Sequence, residues 1–290
     1  MKINLRTIIT VSVLAIFVYG VMLFFSEGII FPSFGIVTLL CFMTLFDYLI
    51  KSYRWKLLLS HYGMNISFIE AVKTYLAGLV FVVTPGKIGS IVKAELMQVR
   101  QNFSRKKVGF VVILERAFDM IAHLILGGFT AFLVATEYLK SLWMIFAFFV
   151  LGFVGLYFFR NKLNFIKEEL EKLNDFKLII TNTVLSVVSW AIEDFELLLA
   201  VWYFSGSITP AQAFFVFSAS LILGNITLIP GGLGVAEASA TGLLILFGLE
   251  KSVSTSVILL TRFSTLWFGF VLGTVFWFTT YKTQKTPKYV

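Results

Sequence analysis

Apolar runs close to twenty residues long recur from one end of this 290-residue chain to the other. They fall approximately at 7–25, 29–50, 108–135, 142–159, 178–204 and 253–281. An α-helix rises about 1.5 Å per residue and a hydrocarbon core is about 30 Å thick, so each run predicts a membrane-crossing helix. Two further apolar regions, at about 66–99 and 208–249, are each interrupted once, by "TPGKIG" at 84–89 and by "IPGGLG" at 229–234. The pieces beside these breaks are mostly too short to cross, and "VAEASATGLLILFG" at 235–248 is the clearest case. Each region therefore reads as two half-helices that enter the membrane, turn at Pro-Gly and leave on the same side. The alternating ten-residue segments of a membrane barrel are absent. The expected fold class is an all-α polytopic membrane protein with about six full transmembrane helices plus two re-entrant pairs.

The distribution of Lys and Arg tests this topology through the positive-inside rule. With a cytoplasmic N-terminus, Lys51, Arg54, Lys56, Arg100, Arg105, Lys106 and Lys107 fall inside. So do the basic residues of 160–177 and of the C-terminal tail, while only Lys140 and Lys251 fall in outside loops. Full crossings at both breaks would strand the charge that follows the first. The expectation is thus a multi-pass protein of the cell membrane with both termini in the cytoplasm. The basic start before the first run resembles a signal peptide, but no small-residue cleavage pattern follows, so an uncleaved first span is expected.

The same order of elements occurs twice, span, span, broken pair, span, in halves of approximately 1–135 and 141–281 within one transmembrane domain. Arg116 lies 31 positions after Pro85 and Arg262 lies 32 after Pro230; Asp47 and Glu193 precede those prolines by 38 and 37. An odd number of spans per half makes such a repeat inverted, the arrangement that places a transporter's site near the midplane between broken helices.

Composition agrees with the pattern. Hydrophobic residues make up 58% of the chain and charged ones 14%, against about 45–50% and about 25% in globular proteins. The net charge of +8 suits anionic lipid facing cytoplasmic loops such as "SRKK" at 104–107 and needs no nucleic acid. Cys41 is the single cysteine, and His61 and His123 have no ligand-spaced partner, so neither a disulfide, a metal nor another cofactor is expected.

Ionisable groups within spans cost about 2.5–3.5 kcal/mol each on insertion scales and usually face a cavity or a partner. Glu115, Arg116 and Asp119 form one such group at i, i+3 and i+4 spacing. Glu193 and Asp194, with Glu196, form another, and Arg262 stands with no acid within a turn. Its counter-charge must come from another helix, with Glu193 or Asp194 the expected partner, or from a ligand. These groups read either as ion pairs that fix packing or as a transport site, and arginine's forked donor set matches phosphate. At the tips, Gly86, Gly89, Gly231, Gly232 and Gly234 permit close backbone approach. The half-helix beyond each tip offers free N–H groups to an anion, and Lys87 adds charge to the first. Glu237 follows the second tip and could hold an arginine or take part in proton coupling.

The stretches "TPGKIGSIVKAELM" (84–97), "ILERAFDMIAHLIL" (113–126), "IPGGLGVAEA" (229–238) and "LLTRFSTLWFGFVLG" (259–273) resemble the lysylphosphatidylglycerol synthase transmembrane domain family of flippase-like membrane proteins. By that resemblance Pro85, Gly86, Gly89, Glu115, Arg116, Asp119, Pro230, Gly231, Gly232, Gly234, Glu237 and Arg262 match the family's recurrent positions. Ser90 stands where the family commonly carries a glutamate. The chain shows no counterpart of the soluble aminoacyl-transfer domain of the bifunctional synthases, so lysyl-lipid synthesis is not implied. What the resemblance implies is lipid movement. The leading expectation is a transporter that flips a lipid with an anionic headgroup: a phospholipid, an aminoacyl phospholipid or a polyprenyl-phosphate-linked sugar. Arg116, Arg262, Lys87 and the two tips would hold the headgroup. The alternatives are an integral transferase of lipid-linked glycan or aminoacyl-lipid synthesis, and a non-transporting partner of a glycosyltransferase or lipid synthase.

Overall fold

The computed structural model of the chain describes residues 28–82, 92–134, 172–204, 206–227 and 229–282. The expected spans at 7–25 and 142–159, and the first tip with Pro85, Gly86, Lys87 and Gly89, lie outside the described residues. Among the described residues every regular element is helical. The elements are α1 (Phe34–His61), α2 (Phe68–Leu79), α3 (Val92–Gln101), α4 (Arg105–Val134), α5 (Phe176–Tyr203), α6 (Pro210–Ile226), α7 (Val235–Leu246), α8 (Lys251–Arg262) and α9 (Phe268–Lys282). A π-helical turn, Phe263–Trp267, joins α8 to α9 as one rod.

Three helical stretches among these residues are both long and apolar enough to cross a membrane: Phe34–His61, Arg105–Val134 and Lys251–Thr280. The chain is an all-α polytopic membrane protein. α5 has the same length as α1, 28 residues, but carries three buried acids, Glu193, Asp194 and Glu196. α6 and α7 have 17 and 12 residues, which reach only about 25 and 18 Å of a core about 30 Å thick. The broken character of the 208–249 region is therefore as the Pro-Gly signal predicts.

The first described span departs from the expectation. The sequence reading ends it at residue 50, whereas α1 continues to His61. Tyr48, Lys51, Ser52, Trp55, Leu58 and Leu59 recur at three- and four-residue steps and are all buried. This one stripe meets α2 and α5, so the helix carries its cations inward rather than out to a loop.

Local signals fix the ends. Thr209 and Gln212 form a reciprocal capping box at the start of α6, with Pro210 in its first turn. Asp175 caps α5 through the amides of Lys177 and Leu178, and Ser67 caps α2 through the amide of Glu70.

The two largest apolar clusters join most of the helices. In one, Trp55, Leu58 and Leu59 of α1 meet Tyr75 and Leu76 of α2 and Val108, Val111 and Val112 of α4. In the other, Phe215, Val216 and Ile222 of α6 meet Leu197, Leu198 and Val201 of α5 and Leu244 of α7. Large apolar side chains remain exposed on the outer faces, among them Phe34, Phe42, Phe46, Phe129, Phe132 and Leu246, where hydrocarbon takes the place of a protein partner.

α9 crosses the end of α2 at Gly273. A Cβ there would lie 2.8 Å from the Leu79 carbonyl carbon and 3.0 Å from the Leu76 oxygen, both backbone atoms. Gly273→Leu is expected to destabilise the protein by about 1–3 kcal/mol or more, seen as a lower unfolding temperature in detergent. Gly242→Ala, where a Cβ meets nothing within 4 Å, is expected to be neutral or stabilising by about 0.5–1 kcal/mol.

Candidate functional site

Charges from five helices meet around a cavity of about 70 Å³ between these apolar clusters. This is room for a few water molecules or one small anionic group. Lys51, Lys93, Arg116 and Arg262 line it, together with Asp119 and Glu193. Gly231 and Gly232 of the second tip form part of its wall.

The largest network centres on α4. Asp119 takes Arg54 Nη2 at 2.6 Å, Arg116 Nη1 at 3.1 Å and the Trp190 indole N–H at 3.1 Å. Glu115 pairs with Lys93 and lies 3.6 Å from Arg116 Nη2. Arg54 also donates to the Ser186 hydroxyl. Lys93 rests over two aromatic faces, 4.3 Å from the Trp55 ring centre and 4.9 Å from that of Tyr75, so its charge meets π-density where it does not meet carboxylate.

A second network joins α1 to α5. Lys51 Nζ lies 2.7 Å from Asp47 and 2.5 Å from Glu193, and 3.9 Å from the Trp190 ring centre. Ser189 donates to the other oxygen of Asp47. Asp194 points away from Lys51 and accepts from Ser218 of α6 at 3.4 Å.

The third network builds the second tip. The sequence expectation gave Arg262 a partner in Glu193 or Asp194, but Arg262 Nε donates to Glu237 Oε1 at 2.7 Å, because Glu237 sits in the first turn of α7 facing α8. Glu237 Oε2 accepts the Gly234 amide at 2.6 Å, and Arg262 Nη2 donates to the Gly231 carbonyl at 3.0 Å. One ion pair therefore clamps the turn from both sides. Gly231, Gly232 and Gly234 have φ of 63°, 68° and 85°, a region that L side chains rarely occupy. Gly232 also packs on the backbone of Gly224, where a Cβ would meet the Gly224 Cα at 3.2 Å.

Among the expected site residues, Arg116, Asp119, Glu193, Gly231, Gly232 and Arg262 border the one cavity, with Glu115 and Glu237 bonded directly behind it. Asp194 lies apart, bonded to α6, and Gly234 contributes its amide to Glu237. Sequence reasoning missed Lys51 and Arg54, assigned to a cytoplasmic loop, and Lys93. The i,i+4 pair Asp47–Lys51 and the continued stripe through Trp55 are the signals that could have found the first two. Among the described residues, no cluster of His, Cys, Asp and Glu could hold a metal ion.

These features occur in a chain that belongs to a known family. Residues 7–273 match the family described as the lysylphosphatidylglycerol synthase TM region. The chain is similar to a UPF0104 membrane protein of Pyrococcus horikoshii, 26% identical over 271 residues, covering 78% of this chain and 81% of the relative. A UPF0104 membrane protein of Methanocaldococcus jannaschii is 29% identical over 232 residues, covering 71% of this chain and 97% of the relative.

Removing one partner of a buried ion pair costs about 3–5 kcal/mol, whereas replacing both with apolar groups is often neutral. Glu237→Ala is therefore expected to lower stability by an amount of that order, measured by thermal unfolding in detergent. The double variant Glu237→Leu/Arg262→Met should recover only part of the loss, because the Gly234 amide and the Gly231 carbonyl also lose their partners.

Proposed function

We propose that this protein is a lipid transporter that moves lipids with an anionic, phosphate-bearing headgroup between bilayer leaflets. The observation that carries the reading is the convergence of Lys51, Lys93, Arg116 and Arg262 on one cavity beside the second Pro-Gly tip. Of the arginines and lysines in the three networks, Arg116 keeps the largest part of its side chain open, 31%, against 7% for Arg262. Arg116 is thus the donor with capacity left for a headgroup phosphate, and its planar fork suits that partner. Arg262 acts one step back, by holding the tip that walls the cavity.

A second feature supports the reading. Tyr48 lines the polar cavity and also a separate groove bounded by Phe42, Leu45, Phe46, Leu49 and Leu76, almost wholly apolar. A headgroup on one side of Tyr48 and hydrocarbon on the other would divide an amphiphile as its chemistry requires. The Tyr48 hydroxyl donates to the Thr265 carbonyl at 2.6 Å, which ties α1 to the last span at the boundary.

We further propose that the two halves form an inverted repeat with re-entrant tips and cytoplasmic termini. Three correspondences support it. Asp47 and Glu193, equivalent by position, bind the same Lys51. Lys93 with Glu115 and Glu237 with Arg262 join equivalent places with the charges reversed, at 8 and 30 positions past Pro85 and at 7 and 32 past Pro230. Arg116 and Arg262 each stand eleven residues into a 30-residue helical rod, about 16 Å along it and so at matching depths.

The competing reading is a non-transporting partner of a lipid-modifying enzyme, favoured by the carboxylate partner that each cation of the three networks already has. Leaflet exchange in liposomes of purified protein separates the two. Transport predicts accelerated exchange of an anionic phospholipid, an aminoacyl phospholipid or a polyprenyl-phosphate sugar. It also predicts at least about tenfold slower exchange in Arg116→Gln, the loss of a charge-assisted contact worth about 1.5–3 kcal/mol. Folded protein that accelerates none of these lipids would favour the partner reading.

A further inference from the structure

Glu196 is fully buried and belongs to none of the three networks. Its hydrogen-bond partners are all hydroxyls. The Thr44 hydroxyl of α1 lies 2.9 and 3.1 Å from its two carboxylate oxygens, and the Ser264 hydroxyl of the π-helical turn lies 3.3 Å from Oε2. Ser264 Oγ is in turn 3.0 Å from the Thr261 carbonyl, which also accepts the Thr265 hydroxyl at 2.8 Å. Thr44, Glu196, Thr261 and Ser264 are each buried to the same degree.

The hydrogen count does not close. A carboxylate offers about four acceptor sites. Thr44 has one proton for two carboxylate oxygens, and Ser264 has one proton for Glu196 and Thr261 together. Among the described residues, no Lys, Arg or His nitrogen lies within 4.0 Å of Glu196. Among the described residues the titratable groups that face it are Cys41, Asp47 and Tyr48 on α1 and Glu193 on its own helix, and none of these is a cation. From α6, Ser218 serves Asp194 instead, and Asp119 of α4 is held by Arg54 and Arg116. An uncompensated carboxylate at this depth is costly, and such groups face a partner or an ion.

We propose that Glu196, Thr44, Ser264 and the Thr261 carbonyl form a seat for one monovalent cation, a sodium ion or a proton. A single carboxylate with hydroxyl and carbonyl oxygens matches the charge and hardness of such an ion. The seat spans α1, α5 and the π-helical turn, and π-turns inside helices recur at functional sites. It also abuts the transport cavity, since Thr265 lines that cavity and its carbonyl holds Tyr48. Occupancy would draw α1 and the last span together. The use of this ion to drive lipid movement rests on the transport reading above, but the binding does not.

The test is thermal unfolding of the whole purified protein in detergent, in sodium chloride and in choline chloride of equal ionic strength, at mildly acidic and mildly alkaline pH. A sodium seat predicts an unfolding temperature at least about 3 °C higher in sodium than in choline at alkaline pH. A proton seat predicts a similar rise on acidification with no sodium effect. Glu196→Gln, which still accepts from Thr44 but lacks the charge, should remove whichever response is present. Thr44→Val should weaken it. Absence of both responses in the parent, or their persistence in both variants, would overturn the proposal; a Glu196→Gln protein that fails to fold leaves Thr44→Val to decide. Lipid exchange unaffected by sodium or proton gradients, with binding intact, would count against coupling and not against the site.

Discussion

The structure depends on one constraint: a charge placed inside a membrane protein must be compensated there. Five buried or half-buried cations, Lys51, Arg54, Lys93, Arg116 and Arg262, bind five carboxylates, those of Asp47, Glu115, Asp119, Glu193 and Glu237. These pairs join α1 to α5, α1 to α4, α3 to α4 and α7 to α8. Between helices whose outer faces are as apolar as lipid, such contacts and close packing fix how the helices meet. The same pairs keep a polar cavity open at the centre, because side chains committed to one another do not collapse into it.

The second Pro-Gly tip shows how this constraint becomes a device. Three glycines in left-handed backbone conformations form a turn that leaves carbonyls and amides without helical partners. Arg262 takes the Gly231 carbonyl, and Glu237 takes the Gly234 amide and Arg262 together. The turn is thus satisfied by the ion pair beside it, as buried irregular backbone must be. Arg116 is less tightly enclosed, with both its acids on its own helix. On the proposed transport reading, it is the group of the three networks that would exchange a protein carboxylate for a ligand phosphate.

Much of this was legible in the sequence. Apolar run lengths predicted α4, α5 and the last span to within a few residues, because a span's length is dictated by the bilayer. The break at residues 229–234 was equally plain, since Pro and Gly act locally. Less legible was the reach of α1. Its cations at 51 and 54 look like the edge of a loop when charges are counted, and only the buried stripe through Trp55 and Leu59 shows them to be interior. Ion-pair partners were legible only where they share a helix, as for Arg116 and Asp119. The Glu237–Arg262 pair joins two helices, so nothing in local spacing selects Glu237 over Glu193.

The most direct test of the central claim, that the cavity beside Arg116 seats an anionic headgroup, is protection of a cavity thiol. Asn225 lines the cavity and is partly accessible, so Asn225→Cys in a Cys41→Ser background reports on occupancy through its rate of alkylation. The account predicts that a short-chain anionic phospholipid slows alkylation at concentrations where its zwitterionic counterpart does not, and that Arg116→Gln abolishes the difference. Equal protection by both lipids, or by neither, would contradict it.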